Sequence, residues 1–415
     1  IEYPLLHNAT MLSSKFSPRW WAMYLSILLL LLGVAAADSP PDCPSYGCPL
    51  LPLDVVSDKG ANAALTALRT YDVDEEGKEA PPSEDTVNEA LRALMSAGDG
   101  DKTTLTLCGD KGGPAINQDR AMIYSPYKIK GSTVRAQLLG VFDGHGGKGE
   151  VTSEHAVTMV PKLLAEKLAV ISLENEELVS QAIKDTFVEV DKTDPSNGKG
   201  GCTATIVLQL GSKLYVGNAG DSRSFIAVLL EDDVEVVYES REDKPDIPEE
   251  KARITEMGGY VHIPDPKEDV PRAYAVSEDG KLKQGVAMSR SLGDWENQGV
   301  IAEPLVDVLD IPDLTAKTIA SYKEWCKKTE AEEKENPDSE DVDMECDDVH
   351  PEDVSFFAIS ASDGLMDYVR PAGVAHVFAA SLYVPDNPHP HTASEYLILQ
   401  AANMWNKVHD GEYRD

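Results

Sequence analysis

Three apolar, β-branched stretches of the chain run straight into an aspartate. Ala136–Phe142 meets Asp143-Gly144-His145-Gly146-Gly147, Lys213–Gly220 meets Asp221, and Phe356–Ser362 meets Asp363-Gly364. Short apolar runs bounded by such turn residues read as strands. Thr203–Leu210 and Lys213–Asn218 flank Gly211-Ser212, which predicts a hairpin with a two-residue turn. Apolar positions at helical spacing mark His155–Val170, with Pro161 weakening its start, and Glu174–Asp191, Val369–Leu382 and Thr392–Val408. Strands and helices that do not strictly alternate predict an α+β fold with stacked sheets.

Two composition breaks bound this core. Trp20–Ala37 is the one long apolar run; Lys15 and Arg19 precede it, and Asp38-Ser39-Pro40-Pro41 follow Ala35-Ala36-Ala37. Residues 1–10, ahead of Met11, read as upstream sequence, and 11–37 as a signal peptide or a signal anchor. Both place the remainder in the secretory pathway, lumenal or extracellular, with membrane attachment through 20–37 in the anchored case. Plastid targeting through the secretory route is the alternative. Residues 38–100 read as a linker with one helix, Asp85–Met95, and Cys43 and Cys48 could close a small loop in an oxidising lumen. Within the core domain, 101–415, the acidic stretch 327–353 has almost no large apolar residues and predicts a mobile insertion able to contact a basic partner.

Charge then narrows the chemistry. With 37 Lys+Arg against 72 Asp+Glu, a formal charge of -35, the chain is a poor match for nucleic-acid phosphates. Six cysteines without a Cys-x-x-Cys pair leave oxygen as the donor for any metal. Carboxylates gathered at one edge of a sheet repel and raise their own pKa values unless a cation neutralises them. Such donors select Mg²⁺ or Mn²⁺. Two of these ions about 4 Å apart can hold a hydroxide between them and stabilise an in-line displacement at phosphorus, which makes hydrolysis of a phosphate monoester the expected reaction.

The same residues sit in motifs that resemble the metal-dependent protein serine/threonine phosphatases of the 2C type, the PPM family. Asn117-Gln118-Asp119-Arg120, Val141-Phe142-Asp143-Gly144-His145-Gly146-Gly147, Gly217-Asn218-Ala219-Gly220-Asp221-Ser222-Arg223, Lys244-Pro245, Ser289-Arg290-Ser291-Leu292-Gly293-Asp294 and Ala361-Ser362-Asp363-Gly364 carry the resemblance in the family's order. It implies a β-sandwich of two antiparallel sheets flanked by helices, with a binuclear metal centre at one end. On the matching positions Asp143 would bridge both cations, Gly144 would offer its carbonyl, Asp363 would bind the second ion, and Asp119 beside Gln118 would hold metal-bound waters. Asp415 matches the last ligand, which implies that the family's closing strand lies beyond it. His145 takes the place of the acid that protonates the leaving seryl or threonyl oxygen; the alternative is a partner that only orients a water.

Departures from the family leave other points open. Pro114 stands where many members carry a phosphate-gripping arginine, so Lys111 or Arg120 would have to reach the substrate. Glu242-Asp243 replaces the usual Asp-His, and either carboxylate, with Asp221, could serve a third cation. Arg223 and Arg290 read as structural, and Cys202 as a small buried residue. The expected function is Mg²⁺/Mn²⁺-dependent dephosphorylation of phosphoprotein substrates by a metal-activated water. A catalytically weak or inactive binding module and a hydrolase of small phosphate esters are the alternatives.

Overall fold

The computed structural model describes residues 117–231, 233–265, 269–335, 348–382 and 390–408, with five short strands between residues 55 and 105. Residues 11–37, Cys43, Cys48, Asp85–Met95, Lys111 and Asp415 lie outside the described residues. No helix among the described residues is long and apolar enough to cross a membrane.

Two antiparallel sheets stack, as the strand pattern predicts. The larger runs in the order Leu305–Asp310, Lys213–Ala219, Ala204–Leu210, Ala136–Phe142, Arg120–Ser125 and Ala63–Leu65. The smaller places Arg223–Leu230 between Asp233–Glu239 and Ser355–Ala361. Ala136–Phe142 alternates buried and half-buried positions, whereas Ala204–Leu210 is buried on both faces except at Gln209. That difference follows from place, since a central strand under helices on one side and a second sheet on the other has no face for water. The Gly211-Ser212 hairpin forms as read, with Leu210 opposite Lys213.

Helices cover both outer faces. α1 (Gly149–Leu168) and α2 (Glu176–Lys192) pack Val157, Val160, Leu164, Ile183 and Phe187 against Leu138, Phe142 and Ile206 of the larger sheet. Val207, Leu214, Val216 and Ile226 fill the space between the sheets. α5 (Pro371–Leu382) and α6 (Pro390–Val408) bring Val374, Ala375 and Leu397 onto Phe225 and Ala227 of the smaller sheet. A satellite of α3 (Pro248–Glu256) and the strands Tyr260–His262, Arg272–Val276 and Leu282–Val286 projects beside the sandwich.

Three local readings change. α1 begins at Gly149, six residues before the predicted start, and Pro161 lies inside it. Its first turns are Gly149-Glu150-Val151-Thr152-Ser153, too polar to show an apolar period, yet Thr152 and Ser153 are buried against the site. Ala63–Leu65, read as linker, is an edge strand against Arg120–Ser125, and three residues are too few to display an alternation. The stretch read as a mobile insertion starts inside α4 (Ile311–Glu335), and beyond its undescribed middle Val349 is buried. Charged composition argues against a core but not against a helix anchored at one end by Thr315 and Cys326.

Candidate active site

Antiparallel register gathers the aspartates at one end of the sandwich. Arg120 pairs with Phe142, so Asp119, just before one strand, meets Asp143, just after its neighbour. In the second sheet Arg223 pairs with Ala361, which sets Asp221 and Asp363 at the same kind of strand end. Hydroxyl contacts join the two sheets near this edge, with Thr203 Oγ1 2.6 Å from Ser222 Oγ and Thr205 Oγ1 2.7 Å from Ser224 Oγ, while Ser224 Oγ continues to Ser360 Oγ, 2.6 Å away within the smaller sheet. The Thr203 N–H donates to the Asp143 carbonyl at 2.8 Å and the Asp143 N–H to Thr203 Oγ1 at 3.1 Å, so the Asp143 backbone is held from both sides.

Asp119 shows what this convergence costs. Burial pushes its carboxyl up to about 6; a hydrogen bond with Asp143, the Gly144 N–H and Ser362 pull it down, while the charge of Asp363 adds to the rise. Two carboxyls in hydrogen-bond contact must share a proton or a cation. Nearby, Asp221 is buried; its Oδ2 accepts from Lys244 Nζ at 2.8 Å, and its Oδ1 has no hydrogen-bond partner among the described residues. This all-oxygen set, short of positive charge, fits a hard divalent cation. Among the described residues no three His, Cys, Asp or Glu side chains form a preformed cage, so the fit rests on donor chemistry and charge. Gly144 belongs at this point for a steric reason, because a Cβ there would press on the Gln118 carbonyl and on the Gly149 backbone.

His145 stands beside this edge. Its Nε2 lies 2.7 Å from Asp294 Oδ2, which also accepts from Ser291 Oγ at 2.5 Å. Burial disfavours the imidazolium, but the charge and hydrogen bond of Asp294, with Asp221 and Asp363 behind, outweigh it and raise the His145 pKa. Burial likewise raises Asp294, yet His145 and Ser291 bring it net below the usual carboxylate range. His145 pairs with Gly201 across two short strands, and the backbone of Cys202 pairs with Leu292, which carries the Asp294 segment to the histidine. A Cβ on Gly201 would fall within 2.6 Å of His145 Nε2 and nearer still to Asp294 Oδ2. Gly201→Ala should therefore cost about 1–3 kcal/mol of stability through overpacking; an unchanged urea midpoint would mean that the pair yields freely.

The structure gives the remaining candidates other partners. Gln118 Nε2 donates to the Gly146 carbonyl at 3.1 Å and to Glu150 Oε2 at 2.9 Å, bracing the loop after His145. Arg120 is buried and bonded to Glu154 Oε2 and to the carbonyls of Asn117 and Asp119, so it shapes the Asp119 turn and is not presented to a substrate phosphate. Asp243 is fully buried, bonded through Oδ1 to Arg241 and through Oδ2 to the Gly220 N–H, which argues against it as a ligand for a third cation. Glu242 instead pairs with Arg223 and Lys244. Asp367, which the sequence reading passed over, lies in the field of Lys244, Asp221 and Glu242. Arg223 and Arg290 are structural as read: Arg223 bonds Glu239 and the Met366 carbonyl, and Arg290 bonds Glu250. Cys202 is buried, and burial pushes its thiol well up, away from any nucleophilic role.

Comparison with known proteins decides what scaffold this is. Residues 115–320 match the family profile Protein phosphatase 2C. These residues are of the protein phosphatase 2C family. The chain is similar to Probable protein phosphatase 2C 41 of Arabidopsis thaliana, with 33% identity over 51% of this chain and 64% of the relative. It is also similar to Protein phosphatase 2C 1 of Paramecium tetraurelia, with 34% identity over 38% of this chain and 50% of the relative. The chain thus spans about half to two thirds of the length of these phosphatase 2C relatives. The crystal structure of serine-threonine phosphatase 2C from Toxoplasma gondii has the same fold, with a TM-score of 0.52 and 20% identity over 73% of this chain and 89% of that one. Asp294 lies inside the matched span, in a motif quoted from the sequence without a role; only the fold brings it to His145.

Proposed function

We propose that the protein hydrolyses phosphoserine and phosphothreonine in protein substrates, with Mg²⁺ or Mn²⁺ held by Asp143, the Gly144 carbonyl and Asp363, with Asp119 alongside and Asp415 as a further ligand. The reading rests chiefly on the contact of Asp119 with Asp143 in the field of Asp363, beside the His145–Asp294 pair. Divalent cations, when bound, supply positive charge for the phosphoryl oxygens and acidify water. With Asp294 accepting from His145 Nε2–H, the imidazolium form, which the raised His145 pKa favours, carries a second proton on Nδ1 that it can give. As water oxygen bonds to phosphorus and the ester P–O bond breaks, the seryl or threonyl oxygen takes that proton, giving the free hydroxyl and inorganic phosphate. The N-terminal residues extend the proposal to a lumenal or extracellular setting, which protease protection in membranes tests.

Full-length protein should release phosphate from a phosphothreonine peptide with Mn²⁺ and lose that activity under excess chelator; turnover indifferent to chelator would reject the scheme. One observation favours the inactive module instead: Arg120, a candidate for gripping phosphate, is committed to Glu154. Calorimetry separates the two readings, since a binding module need not take up Mn²⁺ stoichiometrically.

A further inference from the structure

Asp191 is the next-to-last residue of α2, where the carbonyl end of the helix dipole disfavours a negative charge. It nevertheless holds a carboxylate whose Oδ1 accepts the Gly293 N–H at 2.8 Å and the Trp295 Nε1–H at 2.9 Å. These two donors flank Asp294. The other ties of the segment are local or upstream: the Ser291 hydroxyl holds the Asp294 carboxylate, the Ser291 N–H donates to the Ile301 carbonyl, the Leu292 backbone pairs with Cys202, and the Trp295 and Asn297 N–H groups return to the Gly293 and Asp294 carbonyls. Gly293 is confined too, since a Cβ there would meet the Gly200 carbonyl at 2.7 Å and Asp194 Oδ2 at 2.8 Å. Trp295 is 46% exposed, so its contact with Asp191 is not the by-product of a buried ring.

We infer that Asp191 is a positioning residue for His145, gripping the backbone and indole on either side of Asp294 so that Asp294 Oδ2 meets the imidazole at a fixed angle. The inference rests on the phosphatase reading for its kinetic consequence, though not for the contact itself. Both bonds use one oxygen of Asp191, so a carboxamide can reproduce them and a methyl cannot. If the role of the pair is to protonate a poor leaving group, loosening it should slow esters of serine and threonine and spare p-nitrophenyl phosphate, whose nitrophenolate departs without a proton.

The test compares full-length parent, Asp191→Ala, Asp191→Asn and Trp295→Phe on a phosphothreonine peptide and on p-nitrophenyl phosphate. Asp191→Ala should lower kcat on the peptide roughly tenfold or more with KM little changed, and change p-nitrophenyl phosphate turnover by less than about twofold. Asp191→Asn should recover most of the loss, and Trp295→Phe, which keeps the Gly293 bond, should fall between. Equal losses on both substrates, or no rescue by asparagine, would overturn the inference in favour of a general structural role. A second readout needs no turnover: in ¹⁵N-histidine-labelled protein, the hydrogen-bonded Nε2–H resonance of His145, assigned by its disappearance in His145→Gln, should weaken or shift in Asp191→Ala and persist in Asp191→Asn. An identical resonance in all variants rejects positioning by Asp191, whereas an inert parent with the expected resonance changes rejects only the phosphatase reading.

Discussion

Asp143→Asn should abolish metal-dependent phosphate release, with a loss of at least about a hundredfold, while leaving the protein folded. The backbone at this position is fixed by two hydrogen bonds to Thr203, and an asparagine keeps the shape and both main-chain bonds. What it removes is charge, from the residue in direct contact with Asp119. Metal-free, that removal should be neutral or favourable, because it takes one charge out of a group of carboxylates at one edge, where burial and the charge of Asp363 hold Asp119 up at about 6, and an asparagine can still hydrogen-bond Asp119. The expected result is a protein that melts in chelator at the same temperature as the parent or higher, yet gains nothing from Mn²⁺. A ligand at a hundred times its Kd stabilises a binding-competent fold by about 2.7 kcal/mol, so the parent's melt should rise with Mn²⁺ and the variant's should not. Phosphopeptide turnover within tenfold of the parent would contradict the placement of Asp143 at the centre of the site.

Much of this site was legible because its chemistry sits where strand periods end. An apolar run closing on Asp143 or Asp363 is visible in one dimension, and an antiparallel fold brings such ends to the same edge. Stacked sheets followed from the same runs, and the two-sheet sandwich from the family resemblance. The partners of those residues were not legible, since they come from contacts that have no period. Asp294 reaches His145 through a single bridge between Cys202 and Leu292, 149 residues from its partner in sequence. Arg120 and Asp243 looked like candidates because a charged residue beside a motif reads as available; whether its charge is already spent depends on Glu154 and Arg241, which only the fold supplies. The polar start of α1 was missed for a related reason. Thr152 and Ser153 are buried by hydrogen bonding to the Gly200 and Gln118 carbonyls, and an apolar period cannot register burial of that kind.

The same arginine network carries the second large effect. Glu250, 1% exposed, accepts from Arg241, Arg253 and Arg290 and from Ser289 Oγ. Glu250→Ala should lower stability by about 3–5 kcal/mol, the range for removing one partner from a buried charge cluster. Burial alone would raise the Glu250 pKa, but Arg290, Ser289 and Arg241 overcome it and bring it from 4.5 down to about 2. Because the folded value lies below the unfolded one, this stabilisation is fully present above pH 4.5 and drains away as the pH falls toward 2, by a total of about 3 kcal/mol. Urea unfolding at pH 7 and near pH 3 should therefore show the parent and Glu250→Ala converging as acid is added; a constant gap between them would contradict the linkage. The loss should reach the active site as well. Arg253 Nη2 donates to the Ser289 carbonyl at 2.6 Å and the Ser289 N–H donates to the Asp243 carbonyl at 2.7 Å, so Glu250 anchors the root of the segment that ends in Asp294. In Glu250→Ala, phosphopeptide turnover should drop even at temperatures where the protein remains folded, because the carboxylate facing His145 hangs from the same chain that the arginines hold.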